Sequence, residues 1–108
     1  SGIRKEMERI VDSVLAELKE LERTGDFEEF LDGVLDIRRT QVLLTDGWET
    51  AEYTLTLGAG GPSVYLTVTP SGWATVKVYW WTEKAERREK LGVVKELFDY
   101  LNEVFGEG

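Results

Sequence analysis

The chain contains neither cysteine nor histidine. The absence of cysteine excludes disulfides, thiol catalysis and thiolate metal sites. The absence of histidine removes the imidazole ligands of zinc, copper and non-haem iron, together with the Ser–His and Cys–His nucleophile systems. We therefore expect a protein that is not an enzyme and that binds no metal and no cofactor.

The chain also lacks an excess of positive charge and a long apolar run. Its 108 residues include 21 acidic and 13 basic side chains, which give a net charge of −8. Nucleic acid and anionic lipid both attract clustered positive charge, so we expect neither as a partner and favour a protein partner. No apolar stretch approaches the roughly 20 residues that cross a bilayer. Charge begins at Arg4, which is atypical of a signal peptide, so the expected location is cytoplasmic.

The length fits a single domain with one core, and no change in composition divides it. The apolar fraction is 42%, and Trp, Tyr and Phe occur four times each. Ser1 and Gly2 resemble the remnant of a cleaved tag, so the predicted domain comprises residues 3–108.

Helical periodicity marks both ends of the chain. The first apolar stripe is Ile3, Met7, Ile10, Val11, Val14, Leu18 and Leu21. The last is Leu91, Val94, Leu97, Phe98, Leu101, Val104 and Phe105. Asp26 and Glu29 predict the start of a short second helix that Gly33 ends. Apolar residues alternate from Val34 onward, which indicates strands. The predicted fold is a two-layer α+β domain of order α-α-β-β-β-β-α, with a four-stranded antiparallel meander sheet and the helices on one face.

The first hairpin is registered from its turn. Residues 44–48 read Leu-Thr-Asp-Gly-Trp, which favours a three-residue loop closed by Leu44 and Trp48,. This register predicts four further pairs: Leu35 with Leu57, Ile37 with Leu55, Arg39 with Tyr53, and Gln41 with Ala51. A two-residue Asp-Gly turn is disfavoured because it would mix apolar and polar residues on one face.

The second hairpin has a clearer turn. Pro70 and Gly72 suit a turn with a glycine bulge that pairs Thr69 with Trp73,. The pairs that follow are Val68 with Ala74, Leu66 with Val76, and Val64 with Val78. These residues and Trp80 should face the helices. Residues 83–90 are highly charged, and the pattern leaves open whether they form helical turns or an extra edge strand.

The opposite face of this hairpin, which we call the open face, should carry aromatic side chains. Its candidate binding residues, here called the aromatic patch, are Tyr65, Trp73, Lys77, Tyr79 and Trp81. Large rigid aromatic side chains are typical anchors of protein interfaces. Two alternatives stay open: the aromatics stabilise the strands through cross-strand pairs, or a second copy of the chain covers them in a homodimer.

Other motifs give no support for catalysis. Asp36, Glu49 and Glu52 lie near Arg38 and Arg39, and cross-strand ion pairs account for them better than acid–base chemistry does. The glycine-rich segment 58–61 lacks the lysine and the hydroxyl residue of a phosphate-binding loop and does not open a helix,. We interpret it as a turn between strands.

Two motifs in the second half of the chain carry a resemblance. They are Gly-Gly-Pro-Ser-Val-Tyr at residues 60–65 and Val-Tyr-Trp-Trp-Thr-Glu at residues 78–83, followed by an acidic, aromatic helix. The chain resembles short uncharacterised proteins of bacterial and phage genomes, which show a Gly-Gly-Pro-Asn strand start, a Tyr-Trp-Trp strand end and an acidic C-terminal helix. This sequence differs at Ser63, where asparagine is usual, and at Ala59, where cysteine is common.

The resemblance implies a phage or mobile-element setting, in which small acidic proteins bind and block host machinery, as anti-CRISPR and anti-restriction factors do. The leading hypothesis is therefore a small acidic protein-binding module without enzymatic activity. The alternative is a computationally designed scaffold with no native function, because the regular turn chemistry and the alternating Glu and Lys residues also suit a designed sequence.

Overall fold

A computed structural model describes residues 2–106 and shows an α+β domain. Its helices are α1 (Gly2–Thr24), α2 (Phe27–Asp32) and α3 (Gly92–Phe105); its strands are β1 (Asp36–Leu44), β2 (Gly47–Gly58), β3 (Ser63–Val68), β4 (Trp73–Trp80) and β5 (Glu83–Lys90). The sheet is an antiparallel meander of order β1-β2-β3-β4-β5. The predicted class is confirmed, but the predicted count of four strands is wrong. Of the predicted tag remnant, Ser1 lies outside the described residues and Gly2 begins α1.

The additional strand is β5, the charged segment that the sequence left open. Its alternate side chains face the helices, so Ala85 is buried opposite Val78 and Arg87 reaches α1. There the Arg87 guanidinium donates hydrogen bonds to the carboxylates of Glu8 and Asp12, and the bond to Asp12 raises the pKa of Arg87. The segment is a strand because β4 offers a complete row of backbone partners.

The helices and the inner side of the sheet enclose one apolar core. Its largest fully buried side chains include Met7, Leu18, Tyr53, Leu55, Leu66, Leu97 and Leu101. Helix α1 packs on β4 and β5, and α3 packs across β2, β3 and β4. Strand β1 is the least covered strand, since all of its residues except Ile37 are exposed. No described helix combines the length and the apolarity that a membrane span requires.

Helix α2 begins as the sequence predicts. The Asp26 side chain accepts a hydrogen bond from the Glu29 amide at 3.1 Å, which satisfies one of the unpaired donors of the first turn,. The amide of Gly33 donates to the Phe30 carbonyl at the other end. This short helix and the residues after it bring Leu31 and Val34 to the end of the sheet where β1 begins.

The second hairpin has the predicted register. Val68 pairs with Ala74, Leu66 with Val76, and Val64 with Val78. In the turn, the Gly72 amide donates to the Thr69 carbonyl, and Gly72 has a φ of +97°. A Cβ at that position would lie 3.3 Å from the Leu91 carbonyl oxygen, so both the conformation and the close approach favour glycine,.

The first hairpin confirms the predicted register only in its buried half. Ile37 pairs with Leu55 and Arg39 with Tyr53, as predicted. At the tip, Leu44 pairs with Gly47, so the predicted closure of the loop by Leu44 and Trp48 is wrong. A register shift after Thr40 sets Gln41 opposite Thr50 instead of the predicted Ala51. The extra residue in β2 compensates for the shorter loop, which is the usual effect of a β-bulge.

Leu35 lies one residue before β1. Its amide donates a 2.8 Å hydrogen bond to the Thr56 carbonyl, while its side chain is largely exposed. The residues between Gly58 and Ser63 connect β2 to β3, which agrees with the interpretation of the glycine-rich segment as a turn.

Candidate functional site

The structure brings four of the five aromatic-patch residues together on the open face. Tyr65, Trp73, Lys77 and Tyr79 alternate with buried core residues along β3 and β4. Trp81 is not on this face, because β4 ends at Trp80 and Trp81 belongs to the two-residue turn that leads into β5. Its predicted place on the strand is wrong, although its side chain is 83% exposed.

Most of the open-face aromatics are engaged within the domain. The guanidinium of Arg88 lies 3.7 Å from the centre of the Trp73 ring, close enough for a cation–π contact,. Tyr65 and Tyr79 meet edge to face with ring centres 6.0 Å apart. These contacts are the cross-strand pairs that the alternative interpretation predicted. Tyr79, at 38% exposure, is the most accessible aromatic on the face itself.

Strand β5 gives this part of the open face a positive character that the sequence did not reveal. Lys84, Arg88 and Lys90 pair across the strands with Tyr79, Thr75 and Trp73. Lys77 lies on the same face, and Glu86, which pairs with it across the strands, is the acidic residue in this group. The Lys84 ammonium lies 2.8 Å from the Glu86 carboxylate, and this hydrogen bond lowers the pKa of Glu86 and raises that of Lys84. The open face therefore differs in sign from the chain as a whole.

Trp81 has a φ of 58°, in the left-handed region that side chains with a Cβ disfavour by roughly 1–2 kcal/mol,. We expect Trp81→Gly to be more stable than Trp81→Ala by about 1 kcal/mol, because only glycine adopts this conformation without strain. Urea unfolding of the two variants measures the difference, and the alanine variant controls for loss of the exposed indole. Equal unfolding midpoints would show that the turn is not strained.

A second surface, which the sequence analysis missed, is the far end of the first hairpin. We call residues 41–50 the hairpin arm. Leu43 and Trp48 pair directly across it and are 65% and 66% exposed. Val42 and Leu44 are also exposed, on the other face of the arm. The sequence does contain an indication of this surface: residues 42–44 are three consecutive apolar residues, which break the alternation of a half-buried strand,.

The two edges of the sheet are protected differently. Strand β5 carries charge at all but one of its eight positions, and charged edge strands resist pairing with other chains,. The arm end of β1 has no charged residue from Thr40 to Thr45. An exposed apolar edge of this kind is a ready surface for another chain.

A groove lies on the helix side of β1, beside the C-terminal end of α3. It consists of two adjoining hollows of about 730 Å³ and about 500 Å³ that share Arg39. The first is lined by Gln41, Trp48, Thr50, Phe98 and Asn102, among others. The second is lined by Leu31, Val34, Leu35, Ile37 and Phe105, among others. We call the two together the groove.

Hydrogen bonds hold the wall of the groove in place. The hydroxyl of the buried Tyr53 donates to Asn102 Oδ1 at 2.6 Å. The Arg39 side chain donates to the Phe105 carbonyl at 3.3 Å, which places a positive charge at the negative end of α3,. The groove therefore has a fixed floor in β1 and a fixed wall in α3.

The carboxylates considered for catalysis do not form a site. Asp36 accepts a 2.6 Å hydrogen bond from the Thr56 hydroxyl, and within residues 2–106 the predicted ion pairs of Asp36, Glu49 and Glu52 with Arg38 and Arg39 are not formed. The same described residues contain no group of three or more acidic side chains arranged to hold a metal ion.

Comparisons of the chain with protein-family models, with curated proteins and with solved structures found no match.

Proposed function

We propose that the chain is a non-enzymatic protein-binding module that contacts its partner through the hairpin arm and the adjoining groove. The observation that supports this is the directly paired Leu43 and Trp48, both about two-thirds exposed on an uncharged stretch of edge strand. Both side chains are exposed and neither belongs to the apolar core, so the core does not need them.

The energy available from this surface is sufficient for recognition. Burying a large apolar side chain stabilises a complex by roughly 1.5–3 kcal/mol. Tryptophan is among the residues most often found as interface hot spots, whose truncation costs about 2 kcal/mol or more. Trp48 is therefore the expected central anchor, with Leu43 beside it.

The competing surface within the same proposal, which we call the corner, comprises Tyr79 near the end of β4 and Trp81 in the turn that follows. Trp81 is highly exposed and strained, and strained residues concentrate at functional sites,. The phage or mobile-element setting implied by the resemblance belongs to the proposal, so the partner is sought among bacterial host proteins.

The two surfaces can be compared in one experiment. Wild type, a Leu43→Ala/Trp48→Ala variant and a Tyr79→Ala/Trp81→Ala variant are used to capture partners from a bacterial lysate, and calorimetric titration of the purified partner follows. We expect the arm variant to lose at least about 30-fold in affinity, the equivalent of about 2 kcal/mol. We expect the corner variant to bind like wild type.

Both variants replace exposed residues, so their free energies of unfolding should change by less than about 1 kcal/mol. Urea unfolding checks this before any loss of binding is interpreted. A partner lost only by the corner variant would move the site to Tyr79 and Trp81. If the wild-type protein captures no partner from the lysate, the proposal fails and the result favours the alternative of a designed scaffold.

A further inference from the structure

Strand β1 forms one edge of the sheet, and within residues 2–106 it has a neighbouring strand on one side only. In an antiparallel pair, every second residue directs its backbone N–H and C=O away from the partner strand. Along the free side of β1 these groups form a row, and only another extended chain can pair with such a row. The opposite edge, β5, is less suited to pairing because it carries charge at all but one of its positions,.

The hairpin arm presents apolar side chains on both faces of this edge. Leu43 and Trp48 are exposed on one face, and Val42 and Leu44 are exposed on the other. A helix or a folded surface that docks on the sheet contacts one face only. A strand added beside β1 sends successive side chains to opposite faces and therefore contacts both apolar rows. The arrangement of these residues favours an extended segment as the occupant.

Two cations precede the apolar part of β1. Arg38 and Arg39 are consecutive in the strand, so their side chains lie on opposite faces,. Neither side chain forms an ion pair within residues 2–106, although Arg39 donates a hydrogen bond to the Phe105 carbonyl. An added strand places one side chain directly opposite each arginine, about 5 Å away between Cβ atoms. Charge complementarity therefore favours two consecutive acidic residues in the occupant.

A second copy of β1 matches this edge less well than a segment of different sequence does. Antiparallel self-pairing about Leu43 sets apolar residues opposite one another, but it joins only residues 42–44, because β1 ends at Leu44. Self-pairing about Thr40 joins the whole strand, but it sets Leu44 opposite Asp36 and both arginines opposite uncharged residues. Neither register satisfies the backbone and the side chains together.

We infer that β1 binds an extended segment of another protein, which adds to the five-stranded sheet as a further strand,. This inference rests on the proposed function and names the mode of binding and the chemistry of the partner. The added strand is antiparallel, as every neighbouring pair in the sheet is,. From its N-terminal end it carries three apolar residues opposite residues 42–44, two polar residues opposite 40–41, and two acidic residues opposite Arg38 and Arg39.

The test uses the capped peptide Val-Ile-Val-Thr-Thr-Glu-Glu and a matched peptide with lysine in place of both glutamates. We expect ¹⁵N NMR titration to show 1:1 binding of the glutamate peptide and at least about tenfold weaker binding of the lysine peptide. Hydrogen exchange of backbone amides should slow at alternate residues between Arg39 and Leu43, and it should stay unchanged in β5.

Backbone methylation distinguishes strand addition from other modes of binding. A peptide that is N-methylated at every second amide loses the donors of one strand edge and keeps all its side chains. Two such glutamate peptides, methylated at the two alternate sets of amides, should differ at least about tenfold in affinity, because only one edge of the added strand faces β1. Equal affinities would overturn the inference, since side-chain contacts alone would then account for binding.

Matched variants of the protein locate the site. The Leu43→Ala/Trp48→Ala variant should bind the glutamate peptide at least about tenfold more weakly than wild type does. Arg38→Gln/Arg39→Gln should remove the preference for the glutamate peptide over the lysine peptide. Lys84→Gln/Arg88→Gln removes the same charge from β5 and should bind like wild type. Urea unfolding verifies that each variant is folded.

Three further results would overturn the inference. Equal binding of the glutamate and lysine peptides would reject the acidic chemistry of the partner. A wild-type homodimer in light scattering that Leu43→Ala/Trp48→Ala abolishes would identify a second copy of the chain as the occupant. Failure of the glutamate peptide to bind, while a captured partner still depends on Leu43 and Trp48, would reject the extended segment but leave the proposed function intact.

Discussion

Replacing Leu66 by aspartate is expected to lower the free energy of unfolding by more than about 4 kcal/mol, enough to unfold many small domains. Leu66 has no exposed surface and pairs with Leu55 on one side and Val76 on the other. The substitution leaves a cavity and an unpaired carboxylate in an apolar layer, and each of these is strongly destabilising. Circular dichroism during urea unfolding measures the effect.

The loss should depend on pH in a defined direction. Burial raises the pKa of a carboxyl group above its unfolded value of about 3.9, because the charged form is disfavoured. The variant is therefore penalised least below about pH 3.9, where the carboxyl group is largely neutral in both the folded and the unfolded chain, and progressively more as the pH rises towards 7. A penalty that shrinks as the pH rises would contradict the assignment of Leu66 to the apolar layer.

The adjacent residue supplies the control. Thr67 lies on the open face, where its hydroxyl contacts that of Thr54 at 2.9 Å. Thr67→Asp introduces the same carboxylate one residue further along the strand, in a position that water reaches. We expect a loss of about 1 kcal/mol, the usual contribution of one hydrogen bond. Similar losses at both positions would mean that the two faces of the sheet are not distinct.

Replacing Tyr53 by alanine is expected to cost about 3–5 kcal/mol, in the range of buried aromatic truncations. Tyr53 is among the largest fully buried side chains; its ring lies 5.2 Å from that of Phe98, and its hydroxyl donates to Asn102. Tyr53→Phe removes only the hydroxyl and should cost about 1 kcal/mol. Urea unfolding of the two variants separates the packing of the ring from the hydrogen bond.

Tyr79→Phe is the matched change on the open face. The Tyr79 side chain is partly exposed and its hydroxyl faces away from the core, so a loss of less than about 0.5 kcal/mol is expected,. If Tyr53→Phe and Tyr79→Phe were equally well tolerated, the hydrogen bond to Asn102 would contribute nothing to holding the groove wall.

The sequence predicted the parts of the fold that depend on local rules. Pro70 and Gly72 determine a turn whose register agrees with six apolar residues on one face, so the second hairpin was predicted correctly. In the first hairpin, only the buried pairs, such as Ile37 with Leu55, constrain the register. The exposed residues at the tip do not constrain the register. A shorter loop, together with a bulge that compensates for it, therefore keeps the same buried pairs.

The errors at β5 and Trp81 have one cause. Glu, Lys and Arg are interspersed at residues 83–90. This pattern is compatible with a helix, in which ion pairs form between residues three or four apart. It is equally compatible with a strand, in which residues two apart form ion pairs, as Lys84 and Glu86 do. Once the chain reverses after Trp80 to form β5, Trp81 must lie in the turn. The same strand brings Arg88 over Trp73 and gives the open face its basic residues.

The candidate site was the least predictable part. Leu43 and Trp48 could be identified as apolar, but whether they are buried depends on which strands the helices cover. The aromatic patch, which the sequence did identify, is largely engaged by its own cross-strand neighbours. Its role in binding stays a prediction that the capture experiment tests.

By itself, the sequence determined the apolar stripes of the helices, the inward face of β3 and β4, and the turn at Gly72, because periodicity and turn chemistry act over a few residues. The tertiary structure alone decided that residues 83–90 form a strand and that β1 is left uncovered. The two long helices pack on β2 to β5, and the short α2 lies near the start of β1, so the rest of β1 stays exposed. The exposure of β1 is therefore a property of how the elements pack, and the apolar run at residues 42–44 does not by itself specify it.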